Sequence, residues 1–272
     1  LNDFKVTVYG CRGSMPACGK NMDRFGRNTS AFLITAGVRN IMLDCGSGAV
    51  LMGKELLRRN IKNIDMFIGH VHIDHILGVP FFEPFCTKDC FVHIFGAKRN
   101  GLSTLEQIKC VMSPPFWPVT PDVFTAEITE TEIIPENTYD IGDGIVVKTM
   151  LSSHMDKTVL YSFEYKGKKL VYACDYEHTR GFDEKLAEFS KNSGLIIYDS
   201  EYTSEEYKGH VGWGHSTFEK GIELLKKSGS EKLMFAHLNS NYDDCFLQQT
   251  DIKLRKIDDR CFIASEGGAI DI

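Results

Sequence analysis

Short apolar runs recur along the chain, separated by glycine-rich turns and by stretches in which apolar residues return at helical spacing. The apolar and alternating runs predict strands at Val6–Tyr9, Phe32–Thr35, Ile41–Leu43, Asp65–Ile68 and Phe91–Phe95 in the first half. In the second half they predict strands at Ile145–Thr149, Val159–Tyr165, Leu170–Ala173, Leu195–Tyr198 and Leu233–Ala236. Helical spacing predicts helices over Ser47–Arg59, Leu102–Lys109, Asp183–Phe189, Ser216–Lys227 and Asp243–Leu254. Ser216, followed three positions later by Glu219, carries the capping-box pattern for the fourth of these. Tyr165-Lys166-Gly167-Lys168-Lys169 reads as a hairpin loop, and the proline-rich stretch Ser113–Pro121 as an irregular loop. Mixed strands and helices imply a layered α/β (α+β) architecture. Without an internal repeat, low-complexity tract or break in composition, residues 1–272 read as one domain.

Composition narrows the class. The chain is 43% hydrophobic and 25% charged, which excludes a disordered, collagen-like or coiled-coil protein. No apolar run approaches the ~20 residues that cross a bilayer, and Leu1-Asn2-Asp3-Phe4-Lys5 lacks a basic-then-apolar leader pattern, so a soluble protein without a membrane partner is expected. Net charge is −6 and the pI about 5.9. The basic clusters Lys54 to Arg59, Lys166 to Lys169 and Lys226-Lys227 read as solvated helix faces and a turn, which argues against long nucleic acid as partner. Nine cysteines, an odd count in a long chain, fit the reducing cytoplasm better than a disulfide scaffold. Cys86 and Cys90 come nearest to zinc-site spacing, but no second pair completes such a site.

The main chemical signal is His70-Val71-His72-Ile73-Asp74-His75, directly after the strand-like Asp65–Ile68. His70 and His72, two apart on an extended segment, point to one side and can bind one cation. Asp74 and His75 begin the next turn and can reach a second. Imidazole with carboxylate suits zinc, iron or manganese.

A His-x-His-x-Asp-His run after a strand resembles the signature of the metallo-β-lactamase fold superfamily. Further pieces follow in that family's order: Asp44 in the strand-end turn Leu43-Asp44-Cys45-Gly46, His154 after Leu151-Ser152-Ser153, Asp175 after Ala173-Cys174, and His237 after Phe235-Ala236. The resemblance implies a four-layer αββα sandwich and two divalent metal ions, zinc first and manganese or iron next. It implies that His70, His72 and His154 hold the first metal and Asp74, His75 and His237 the second, with Asp175 bridging. Asp44 would brace the ligand loop. Cys174, beside Asp175, reads as a buried thiol.

Gly10-Cys11-Arg12-Gly13-Ser14-Met15-Pro16, Asn28-Thr29-Ser30 and Gly212-Trp213-Gly214-His215-Ser216-Thr217 resemble one branch of that superfamily. It holds the tRNA 3′-processing endonuclease, the cyclic phosphodiesterase of phosphonate breakdown, and related cyclic-nucleotide phosphodiesterases. The resemblance implies hydrolysis of a small, often cyclic, phosphodiester by water activated at the metals, with Asp74 and Asp175 serving the nucleophile. It gives His215 the role of proton donor, oriented by Asp199 or, failing that, by Glu201, and it suggests a homodimer. The long Gly/Pro-rich arm of the endonucleases is not apparent, and Pro114-Pro115-Phe116-Trp117-Pro118 resembles an aromatic loop of the smaller enzymes. A thioester or lactone hydrolase, an RNA 3′-end nuclease and a non-catalytic nucleotide-binding metalloprotein are the rival classes.

The remaining polar residues receive plainer readings. His93 is expected to be a satisfied sheet residue, His178 a loop histidine and His210 part of the Lys208-Gly209 turn. Arg12 either meets a phosphate or makes a structural salt bridge. Gly10 and Gly13 permit a tight turn. Trp213 either stacks on a base or packs its loop.

Overall fold

A computed structural model describes residues 3–179 and 181–272; Leu1 and Asn2, which open the segment read for a leader pattern, lie outside the described residues. The first half runs β1 (Phe4–Gly10), β2 (Ala31–Ala36), β3 (Arg39–Leu43), α1 (Ala49–Arg58), β4 (Asn63–Ile68), α2 (Ile73–Ile76), β5 (Phe91–Gly96), α3 (Thr104–Val111) and β6 (Glu127–Glu132). The second runs β7 (Thr138–Asp140), β8 (Ile145–Leu151), β9 (Val159–Tyr165), β10 (Lys168–Ala173), α4 (Phe182–Phe189), β11 (Leu195–Asp199), α5 (Ser204–Tyr207), α6 (Phe218–Ser228), β12 (Leu233–Ala236), α7 (Asp244–Ile257), β13 (Cys261–Ile263) and β14 (Ala269–Asp271).

The strands form two seven-stranded sheets, ordered β14-β1-β2-β3-β4-β5-β6 and β13-β12-β11-β10-β9-β8-β7. Each sheet joins an antiparallel part to a parallel part. In the first, β3, β4, β5 and β6 run parallel; in the second, β10, β11, β12 and β13 do. Parallel neighbours need crossovers, and the crossover helices cover the outer faces.

Alternation along a strand shows the layering. Phe32, Ile34 and Ala36 of β2 face the interior between the sheets, whereas Ala31 and Leu33 face the layer holding Met52 and Leu56 of α1 and Ile108 of α3. The second sheet is covered by Leu186 of α4, Phe218 and Leu225 of α6 and Leu247 of α7. The result is the four-layer αββα sandwich. Between the sheets, Phe67 stacks on Phe95 at 4.3 Å and meets Tyr161 and Phe163 edge-on at 5.3 and 5.1 Å.

Every strand and helix expected from the pattern is present. The hairpin between β9 and β10 turns through Lys166 and Gly167, both at positive φ, as a two-residue hairpin loop of this kind requires. The pattern missed β6, β7, β13 and β14, which are the edge strands of the two sheets, and the one-turn helices α2 and α5. β6 reads Glu-Ile-Thr-Glu-Thr-Glu and is largely exposed, so it shows no apolar run. The capping expectation needs correction. Thr217, not Ser216, caps α6 by accepting from the Lys220 N–H, and Glu219 accepts from Ser204 instead. Among the described residues, no helix is long and apolar enough to cross a membrane. Phe67→Ala is expected to cost about 3–5 kcal/mol of stability; equilibrium urea unfolding checks it, and a loss below ~1 kcal/mol would contradict the interior packing described here.

Candidate metal centre

The seven residues expected to bind metal come from both halves of the chain and meet at the strand ends. His70 and His72 leave the C-terminal end of β4 on an extended path, and α2 then turns Asp74 and His75 inward. Asp175 and His237 follow the C-terminal ends of the parallel strands β10 and β12, and Asp199 closes β11 between them. His154 follows β8. Asp44, Asp175 and His237 each have a left-handed backbone, with φ of 58°, 56° and 52°, just beyond a strand. That sharp turn is what brings each side chain back over its sheet end.

Ligand-capable atoms gather in overlapping groups, each within 4.8 Å: His70, His72 and His154; Asp74, His75 and His237; and His70, His75 and Asp175, which joins the first two. Outer partners fix the histidine tautomers. His75 donates Nδ1–H to Asp44 at 2.7 Å, and Asp44 also accepts from the Gly69 N–H at 2.9 Å and the Tyr172 hydroxyl at 2.5 Å. His154 donates Nδ1–H to the Gly214 carbonyl at 3.0 Å, and His72 donates Nε2–H to Asp156 at 2.5 Å. The nitrogens left over, His72 Nδ1 and His154 Nε2, face each other as lone pairs 3.4 Å apart. His75 Nε2 lies 2.9 Å from Asp175 Oδ2 and 3.1 Å from Asp74 Oδ2 without hydrogen-bond geometry. Both nitrogens of buried His70 lack a partner. Converging imidazole nitrogens and carboxylate oxygens, most of them buried and several without a hydrogen-bond partner, are the donor set a divalent cation requires, so these residues fit one.

The electrostatics follow from that crowding. Burial would push the Asp175 carboxyl up, but the imidazoles around it, His237 and His75 foremost, outweigh it and hold Asp175 well below the usual carboxylate range, while Asp175 raises His75 and His237 well above the ordinary imidazole value against the effect of burial. Burial lowers His70 well below the ordinary imidazole value. For His215 burial works downward, yet the adjoining Asp199 carboxylate prevails and raises it.

Asp199 Oδ2 lies 2.9 Å from His215 Nδ1 and also accepts the Asp175 N–H at 2.9 Å; its other oxygen accepts the N–H of Ser216 at 3.0 Å. The His215 ring stacks on His237 at 4.7 Å and lies 5.3 Å from His154, beside both histidine groups. Glu201, the fallback for orienting His215, lies instead 3.2 Å from His237 Nδ1. Ser216, released from capping, shares its hydroxyl between Tyr198 at 2.7 Å and His178 at 3.0 Å.

Arg12 makes no salt bridge among the described residues. It is fully buried and donates to the carbonyls of Gly26, Asn239 and Tyr242, tying the first loop to the segment after His237. Gly13 is needed for a close approach rather than a turn: a Cβ there would sit 2.1 Å from His237 Nδ1, while Ser14 takes the left-handed position and donates its N–H to Asp74. His93 is held by the hydroxyls of Thr129 and Thr131. His210 donates to the Glu206 carbonyl and stacks on Tyr202, and exposed Trp213 meets His210 edge-on at 4.9 Å. Cys86 is exposed and Cys90 buried, and all nine cysteines are free thiols.

The sequence reading missed three outer residues. Tyr172 braces Asp44, Asp156 holds His72, and Glu177 accepts from Tyr207 and from the backbone N–H groups of Gly212 and Gly214, fixing the loop that leads to His215. Asp156 and Glu177 each stand two residues past a ligand, a spacing too common to signal a role.

Comparison with known proteins gives the family of the chain. Residues 39–238 match the family model described as Beta-lactamase superfamily domain. Ribonuclease Z of Picrophilus torridus is 25% identical, over 92% of this chain and 90% of that protein. Among solved structures, the metallo-beta-lactamase fold protein YhfI of Bacillus subtilis superposes with a TM-score of 0.74 at 18% identity, covering 98% of each chain. A diphosphatase of the PhnP family gives 0.71 at 15% identity, covering 99% of this chain and 98% of that one.

The bracing of Asp44 sets a stability test. Tyr172→Phe removes one of three donors to a buried carboxylate and is expected to cost about 1.5–3 kcal/mol in urea unfolding. An unchanged midpoint would show that the hydroxyl contributes nothing to the site.

Proposed function

We propose, for a chain that belongs to the beta-lactamase superfamily domain family, the hydrolysis of phosphodiester bonds with the aid of divalent metal ions. His70, His72 and His154 would hold one cation and Asp74, His75 and His237 a second, with Asp175 shared between them. When bound, the cations supply a lowered pKa for water and withdraw charge from the phosphoryl oxygens. Asp74 and Asp175, held ionised, would orient the attacking water by accepting its hydrogen bonds.

The observation that carries the reading is the Asp199–His215 pair beside both histidine groups. Asp199 fixes the ring through Nδ1 and favours its protonated form, so Nε2–H is available to the departing oxygen. An alkoxide leaving group needs such a proton; a thiolate hardly does, which weighs against a thioester substrate. A small diester, cyclic ones included, is the substrate we favour, given the net charge of −6. A second reading, processing of an RNA 3′ end, draws on the relative named Ribonuclease Z, which this chain matches over most of both lengths.

Hydrolysis of an activated aromatic diester, a 2′,3′-cyclic nucleotide, a precursor tRNA and an activated thioester, each before chelation, after it and with metal restored, separates these readings. Diester turnover that vanishes with chelator and returns with metal is expected. Turnover of the thioester alone would overturn the reading. Asp74→Ala and Asp175→Ala should abolish turnover. His215→Ala should keep the wild-type metal content and lose about 10²–10⁴-fold in rate on a diester with a poor leaving group, with a much smaller loss on an activated one. An equal loss on both would remove His215 from the donor role.

A further inference from the structure

His72 differs from the other residues grouped for metal. Its side chain is 40% exposed, and the group that fixes it, Asp156, is 53% exposed. Elsewhere the arrangement is buried: His75 is held by Asp44, His154 by the Gly214 carbonyl, and His237 lies against Glu201. Asp156 belongs to the turn between β8 and β9, two residues past His154, so one short segment supplies His154 and the partner of His72. That turn is itself anchored. Arg99 donates to the Lys157 carbonyl at 3.0 Å and to the Gly69 carbonyl at 3.1 Å, linking the turn to the residue before His70.

We propose that Asp156 is the positioning residue of His72 and governs retention of the cation held by His70, His72 and His154, but not of the one held by Asp74, His75 and His237. This rests on the ligand assignment above. By accepting Nε2–H, the carboxylate fixes the ring's orientation and selects the tautomer whose Nδ1 lone pair faces His154. Without it the half-exposed ring is free to flip or to carry its proton on Nδ1, and either change removes a ligand. The buried group keeps its own outer partners. The two cation positions therefore differ in strength: an outer, exchangeable one and an inner, firmly held one.

Zinc-loaded wild type, D156N and D156E are dialysed against graded chelator, and zinc per chain is counted by plasma mass spectrometry. Wild type should lose its two equivalents in separate steps. In D156N the first step should move to about 10–100-fold lower chelator, the usual effect of losing an outer partner, while the second stays in place. D156E should recover part of the first step. Superimposable curves for wild type and D156N, or an equal displacement of both steps, overturn the proposal. A freshly loaded wild type holding fewer than two equivalents contradicts the ligand assignment beneath it, and the proposal falls with it. Thermal unfolding of the metal-free proteins should be the same for all three; a lower midpoint in D156N would make Asp156 a folding residue and overturn its assigned role.

Discussion

The rest of the structure is arranged around one constraint, the burial of facing lone pairs where the two sheets meet. His70, His75, His154, His237, Asp74 and Asp175 are all nearly inaccessible, and several of their nitrogens have no hydrogen-bond partner. Such a cluster is costly unless cations occupy it or protons are shared across it. The surrounding polar groups restrict that choice. Asp44, Asp156 and the Gly214 carbonyl take the outer protons of His75, His72 and His154, which leaves the inner nitrogens bare. These outer groups present lone pairs rather than satisfy them.

Topology explains how so many ligands converge. The parallel strands of each sheet end on the same side, and crossover chains leave from those ends. β4 delivers His70, while β10, β11 and β12 deliver Asp175, Asp199 and His237 in neighbouring positions. The left-handed residues at strand exits fold the side chains back over the sheet edge. Arg12, buried and donating to three backbone carbonyls, holds the first loop against the segment after His237, and that loop brings the Ser14 N–H to Asp74.

Much of this was legible in the sequence. Central strands such as β11 and β12 are buried on both faces and read as continuous apolar runs, and the polar residues at their ends stand out against them. The His70–His75 run is compact enough to be recognised by spacing alone. Edge strands were not legible, because β6 is exposed and mostly polar and β13 and β14 span three residues each. Ser216 misled because serine is among the preferred caps before a helix, whereas here Tyr198 and His178, distant in sequence, take up its hydroxyl. Arg12 misled for a similar reason: whether a guanidinium meets a phosphate, a carboxylate or bare carbonyls depends on which loops the fold brings around it.

The central claim is that this cluster holds two metal ions. Its most direct test is a crystal structure of metal-loaded protein with anomalous scattering measured on either side of the metal's absorption edge. Two anomalous peaks are expected, one among His70, His72 and His154 and the other among Asp74, His75 and His237, with Asp175 against both. Peaks elsewhere on the chain, or none at the cluster in a sample shown to contain metal, would contradict it.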